Sequence, residues 1–420
     1  MHKVPIWHRT DLNDYPETPD GQKLYKYHCG INLDYLNNTY NAHGDPGINI
    51  GVAGIHKTRV YEDIDSNYKG KYYYPFILMQ PIEGVHYGSV PDKPIIDIEP
   101  EHILNIKTGR CKILIVNTME GWDHNSFFKI LIDAIKSKYF LKYNDFVILS
   151  GNMEETQYGT PTVYHNWWEQ HLREHDLGEL LEQGVLSMNN WERPHKFICL
   201  NRRPHAHRIA ITTLLHNYKH KGILTLAKKV DNHTEVFDKN LKLMNEYYPG
   251  LTAKPKAMNR LLKDLPLEYN DGVDPNTENP VHDDAPDKFY MSYLHVVTET
   301  FGRGSQTFFS EKVFKPIIYF QPFVLVGAYN DLHRLKSLGY KTFNGIIDES
   351  YDDIKDDEKR LIVLSKEIGR IVSMSNDEIN NFYQSCYDIM MHNFFHWIYR
   401  QQTIHIDLKN NLLRKLNGYA

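Results

Sequence analysis

Apolar runs and helically spaced apolar positions alternate along most of the chain from Lys112 onward. Lys112–Asn117 (KILIVN) is a compact apolar run and predicts a buried strand. Asn125–Tyr139 spaces Phe127, Phe128, Leu131, Ile132 and Ile135 as one face of a helix. Asp145–Leu149 predicts a second buried strand. Strand, helix, strand is the repeating unit of a parallel sheet. A second series starts at Lys196, with strands predicted at Phe197–Leu200 and Ile223–Ala227. Between them Pro204 suits the first turn of a helix carrying Ile209, Leu214 and Leu215. Residues 230–265 are helical in part, and the Pro-rich acidic stretch 266–288 predicts a long loop.

The last third has the clearest pattern. Ser292–Val297 and Phe323–Val326 predict strands, and Thr307–Tyr319 predicts a helix that Pro316 kinks or ends. Asn330 is placed as an N-cap and Gly339 as the residue past a helix carrying Leu332, Leu335 and Leu338. Glu358–Val372 is amphipathic. Ser375-Asn-Asp-Glu378 is a capping box opening a long helix, whose inward face uses Ile379, Phe382, Tyr383, Cys386, Ile389 and Met390. Two β/α series predict an α/β protein of two Rossmann-like doubly wound domains facing across a cleft. The first domain spans 1–190, with a strand-rich start of unassigned topology up to 105. The second spans 191–375, and 376–420 is a helix packing on or crossing between the domains.

Composition changes this picture little: 41% hydrophobic and 24% charged residues are ordinary for a globular chain. Cys29, Cys111, Cys199 and Cys386 are too scattered for a zinc or redox motif, which fits a reducing compartment. The first residues lack the apolar stretch of a signal peptide. The longest apolar stretch, Phe314–Ala328, is broken by Pro316, Gln321 and Pro322 and is too short to span a bilayer. A cytoplasmic protein is expected.

Charge is informative because it is uneven. His195–Lys263 holds 14 Lys and Arg against four acids, a surplus of ten, in a chain of net charge −5. Such a basic segment in an acidic protein suits a polyanionic partner, and equally a solvated basic face. Within it, Leu200-Asn-Arg-Arg-Pro-His-Ala-His-Arg208 follows a strand and opens a helix. Arg202, Arg203 and Arg208 stand near a helix start that is itself partly positive, an arrangement easier to explain with an anion bound. His205 and His207 could assist. Glu299 ends a predicted strand, and Ser310, Glu311, Lys312 and Lys315 lie at a helix start. Glu311 and Lys315, four apart, also fit a simple surface pair.

The segment Val-Thr-Glu-Thr300, then Phe-Phe-Ser-Glu-Lys-Val-Phe-Lys-Pro316, then Gln-Pro-Phe-Val-Leu-Val-Gly327 resembles the donor-binding core of α1,3-fucosyltransferases and related GT-B glycosyltransferases. It is closer still to glycosyltransferase-like proteins of tailed phages and large viruses. The resemblance covers about residues 195–350. It departs from the fucosyltransferase pattern in Thr-Glu-Thr for Glu-Asn-Ser after the strand, and in Ser310 for Thr. It implies a nucleotide-diphosphate sugar as co-substrate, with no further cofactor. Glu311 would sit on the ribose, Lys312 on the diphosphate, and an Arg at 202, 203 or 208 would clamp it. It also implies inversion; independence from metal is expected because Asp63-Ile-Asp65 lies in a charged stretch and the other acid pairs in loops. The acceptor hydroxyl would belong to a glycan or to a hydroxymethylated base of phage DNA, in a host cytoplasm if phage-encoded.

The first domain is expected to bring the base. Glu120 and Asp123, past the strand 112–117, are the candidates, with Glu154 and Glu155 in reserve. Trp122, Trp167 and Trp168 could stack on a sugar, or simply pack. Two other readings stand beside this one. The chain could be a catalytically silent glycosyltransferase-like binding protein. It could also be a metal-dependent GT-A enzyme using Asp63 and Asp65; the acid pairs Asp283-Asp284 and Asp352-Asp353 read as solvated loops.

Overall fold

The structure is a computed structural model that describes residues 3–7, 28–29, 60–65, 67–77, 98–118, 128–153, 156–166, 168–171, 177–190, 192–229, 235–252, 255–268 and 286–418. The chain divides into two compact units. The first is Met1–Glu174 with Arg400–Ala420, and the second is His175–Tyr399. Sequence patterning places the breaks at 190/191 and 375/376. Close packing accounts for the first difference. Helix 177–190 belongs to the second unit, where a Cβ on Gly184 would lie 2.1 Å from the Phe320 ring, so only glycine admits that ring.

In the first unit the strands are β1 (Val4–Trp7), β2 (His28–Cys29), β3 (Tyr61–Ile64) and β4 (Tyr72–Ile77). Helix α1 (Pro100–Lys107) leads to β5 (Cys111–Asn117), α2 (Lys129–Tyr139), β6 (Phe146–Ser150) and β7 (Thr162–Tyr164). They build a parallel sheet of order β3-β1-β4-β5-β6-β7, with β2 antiparallel on β4. The N-terminal stretch, unassigned from sequence, thus supplies the near half of this sheet. Both faces are buried, as a parallel sheet requires. One face packs Ile113, Ile115 and Ile148 under Leu131, Ile132 and Ile135 of α2. The other packs Leu114, Val147 and Leu149 under Leu408, Leu412 and Leu416 near the chain's end.

In the second unit α3 (Leu177–Asn190) precedes β8 (Phe197–Cys199), α4 (Ala206–Leu215), β9 (Gly222–Leu224), α5 (Glu235–Tyr247) and α6 (Pro255–Asp264). Then follow β10 (His295–Thr298), α7 (Glu311–Ile318), β11 (Phe323–Val326) and α8 (Asp331–Ser337). The end is helical: α9 (Asp357–Ser373), α10 (Asn376–Ser385) and α11 (Tyr387–Asn417). The four strands are parallel in the order β11-β10-β8-β9. The α/β class and the parallel sheets agree with the sequence patterns.

Three local differences have clear causes. Helix α7 starts at Glu311 rather than Thr307 because the Ser310 side chain caps it by accepting from the Lys312 N–H. Asn330 is left-handed (φ 70°) and makes no side-chain cap for α8. Asp352 does that instead, accepting from the N–H groups of Leu332 and His333 at 3.0 Å each. Asp352 is therefore a buried cap, not a solvated loop acid. The Ser375–Glu378 capping box forms as predicted, but the helix it opens ends at Ser385 and a separate helix follows. Cys111, Cys199 and Cys386 are buried free thiols, and burial pushes the Cys199 thiol up to about 12.

Candidate functional site

The second sheet winds from β8 outward to β9, then crosses back past β8 to place β10 on its other side. Ligands of open α/β sheets bind where the winding reverses, beyond the carboxyl ends of the strands. Here that point is between β8 and β10. Arg202, Arg203 and Arg208 follow β8, and Glu299 follows β10.

Buried small polar residues stitch this edge together. Asn201, just past β8, takes a hydrogen bond on its Oδ1 from Thr298 Oγ1 at 2.5 Å. Its N–H donates to Thr225 Oγ1 at 2.9 Å. The ends of β8, β9 and β10 are thereby fixed to one another. Sequence reasoning missed Asn201, Thr225 and Thr298; a polar residue directly after each apolar run was the available signal.

Glu299 is fully buried. It accepts from the Ser310 hydroxyl at 2.6 Å, from the Ser310 N–H and from the Thr300 N–H. Burial raises its pKa, against the pull of the Lys312 ammonium and the Ser310 hydrogen bond. Its carboxylate thus ties the end of β10 to the start of α7 and is not turned outward to a ligand. Ser310 joins three groups: it donates to Glu299, caps α7, and accepts from Lys312 Nζ at 3.1 Å. Lys312 Nζ also meets Glu311 Oε1 at 2.9 Å. Glu299, Ser310, Glu311 and Lys312 therefore form one cluster at the N-terminus of α7. Lys315, a turn later and buried, lines a small hollow with Lys312, Leu200, Phe289, His295 and Thr298.

Arg208 reaches the same place from α4. It is buried, and its Nη2 donates to the carbonyls of Thr298 and Glu299 at 3.3 and 3.2 Å. Its Nη1 donates to the Arg203 carbonyl at 3.3 Å. Burial pulls its pKa down to about 10 while Glu299 and Glu311 oppose, so it is charged at neutral pH. Arg202 and Arg203 are half-buried on the turn between Asn201 and Pro204. Helix α4 opens with no side-chain cap and no acid in its first turn. The partial positive charge of that helix start stands beside Arg208.

His207 is a positioning group, and the His205 ring stacks on it at 6.0 Å between centroids. The His207 Nε2–H donates to the Glu299 carbonyl at 2.9 Å. Burial first, then Arg208, lower the His207 pKa to about 3, so the ring is neutral. A Cβ on Gly302 would lie 2.3 Å from that ring, so the loop after β10 passes His207 as closely as a glycine permits. The same loop is held from α9: Arg360 donates to the Gly302 carbonyl at 3.3 Å, and Asp357 accepts from the Gly304 N–H at 3.1 Å. The geometry thus places a fixed guanidinium and a fixed ammonium beside two helix N-termini.

Glu120, Asp123, Glu154, Glu155, Trp122, Trp167, Asp283 and Asp284 lie outside the described residues. Asp65 is exposed and accepts from the Asn67 N–H at 2.9 Å, while the Asp63 side chain also lies outside them. Among the described residues no group of three or more His, Cys, Asp or Glu is placed to share a metal ion. Among them too, no helix is long and apolar enough to cross a membrane. Neither a protein-family model, nor a curated protein, nor a solved structure matches this chain.

Proposed function

We propose that the chain is a glycosyltransferase that moves a sugar from a nucleotide-diphosphate donor to a hydroxyl acceptor. One observation carries the reading: two helix N-termini bearing Arg208 and Lys312 open at adjacent strand ends, where the winding reverses. A leaving diphosphate gains negative charge as the glycosidic bond breaks, and fixed cations aimed at it lower the barrier. Lys312 and the arginines 202, 203 and 208 take the diphosphate. Glu311 holds the Lys312 ammonium at the helix start and accepts from the donor ribose. Glu299 and Ser310 keep α7 seated against β10, and Lys315 adds positive potential behind Lys312.

The acceptor oxygen forms a bond to the anomeric carbon as the bond to the diphosphate breaks. Its proton goes to a carboxylate of the first unit, for which Glu120 and Asp123 are proposed. In this reading the two units are the two Rossmann-like domains of a GT-B enzyme, working without metal and with inversion. The acceptor is a glycan hydroxyl or a hydroxymethylated base.

The test is release of nucleoside diphosphate from a panel of nucleotide sugars. Wild type is expected to turn over at least one of them in EDTA, and Lys312→Ala to lose that turnover. Binding without turnover would convert the reading to a silent binding protein. Turnover abolished by EDTA would point to the metal-dependent alternative.

A further inference from the structure

The site above uses Arg202, Arg203 and Arg208 of the basic segment, and Arg260 and the segment's lysines lie elsewhere. The turn His216–Lys221 follows the C-terminal end of α4 and leads into β9, so it sits at the amino edge of the second sheet. Arg208 marks the other end of α4, a helix about 15 Å long. Helix α6 packs beside this turn, and its two faces differ sharply. Leu261 is buried, and Met258 accepts from the Thr213 hydroxyl of α4 at 3.8 Å. Lys256, Arg260 and Lys263 are exposed, spaced four and three apart, and so share the outer face. Lys219 and His220 are exposed next to them. The acid among them, Asp264, is already held by Lys219 and His216.

We propose that this face, Lys256, Arg260 and Lys263, docks the phosphate backbone of duplex DNA without reading its sequence. A nucleotide donor at the opposite end of α4 does not account for these charges. A row of exposed cations with few acids gains its affinity from released counterions, which suits a regular polyanion. Duplex is favoured over single strand because single-strand sites stack bases on exposed aromatic rings. Among the described residues, the exposed large hydrophobic side chains lie at 104, 130, 140, 186, 395, 399 and 406, none of them on this face. The proposal is independent of the transferase reading.

The experiment is fluorescence anisotropy of a short labelled random-sequence DNA duplex titrated with the full chain at several salt concentrations. Binding is expected to fall with salt along a log–log slope of roughly −3, one phosphate per cation. Lys256→Glu with Arg260→Glu and Lys263→Glu should weaken binding at least about tenfold and flatten the slope. An unchanged melting temperature in that variant shows that the face, not the fold, was altered. No binding at low salt, equal binding by the variant, or equal competition by polyglutamate would overturn the proposal.

Discussion

The two sheets share a construction and differ at their carboxyl ends. Both are parallel apart from β2, and both reverse their winding next to an early strand: β1 beside β4 in the first, β8 beside β10 in the second. In the second, the described residues beyond the reversal are charged and joined to one another: Arg208, Glu299, Glu311 and Lys312. In the first, the described residues at the carboxyl ends of β5, β6 and β7 are largely buried and mostly neutral. Asn117, Ser150 and Tyr164 stand in register across β5, β6 and β7. Among the described residues nearby, the buried acid Glu169 is matched by Arg400, with both nitrogens at 2.8 Å. Among the described residues, the same topology therefore carries charged groups at one edge and mostly neutral polar groups at the other. Fold alone does not assign the site; the residues placed on it do.

Breaking the charged edge should have the largest effect. Lys312→Ala is expected to lower turnover roughly 10²–10³-fold, as loss of one preorganised charge donor does. Steady-state kinetics on the best nucleotide sugar checks it. Next in size is Gly302→Ala, whose added methyl meets the His207 ring. It should destabilise by about 1–3 kcal/mol, measured by urea unfolding. Gly302→Ala combined with His207→Ala should cost less than the two changes added separately.

Acid should act on two buried histidines of the second unit. His207 and His295 are both held near pKa 3 by burial, from an ordinary value of 6.5. Between those values the unfolded chain binds protons that the folded chain refuses, so stability falls as pH drops below about 6.5. Replacing His295 with Phe should make that decline shallower by up to about 1.4 kcal/mol per pH unit. Urea unfolding at pH 7 and pH 5 reads it. Asp352→Ala, which uncaps α8 away from the charged cluster, should cost about 1 kcal/mol. Ser150→Ala at the neutral edge should leave donor binding unchanged; if it weakens donor binding as Lys312→Ala does, the contrast between the edges fails.

Much of the second unit was legible in the sequence because local signals and tertiary packing agree there. The apolar run Phe323–Val326 is a strand with those bounds, and Ser375 and Glu378 cap as their spacing says. Arg208, Glu299, Ser310, Glu311 and Lys312 were all named, and the structure brings them together. Their roles were less legible. A motif cannot show that the Glu299 carboxylate is turned inward to Ser310, because that depends on how α7 seats against β10. Nor could it reveal Asp352 as the cap of α8, since the two are distant in sequence and meet only through the fold. The first half hid its topology for a related reason. Parallel strands such as β1, β3 and β4 pair across long connections, and no local turn fixes their order.

The central claim is that the carboxyl edge of the second sheet holds a diphosphate, and a thermal-shift comparison of matched ligands tests it most directly. A ligand at about 100 times its Kd adds roughly 2.7 kcal/mol to stability, a readily measured rise in melting temperature. Nucleoside diphosphates and nucleotide sugars are predicted to raise the wild-type melting temperature, the matching nucleosides to leave it in place, and Lys312→Ala to lose the response. A wild type that ignores every diphosphate, or a Lys312→Ala variant that responds as fully as wild type, would contradict the account.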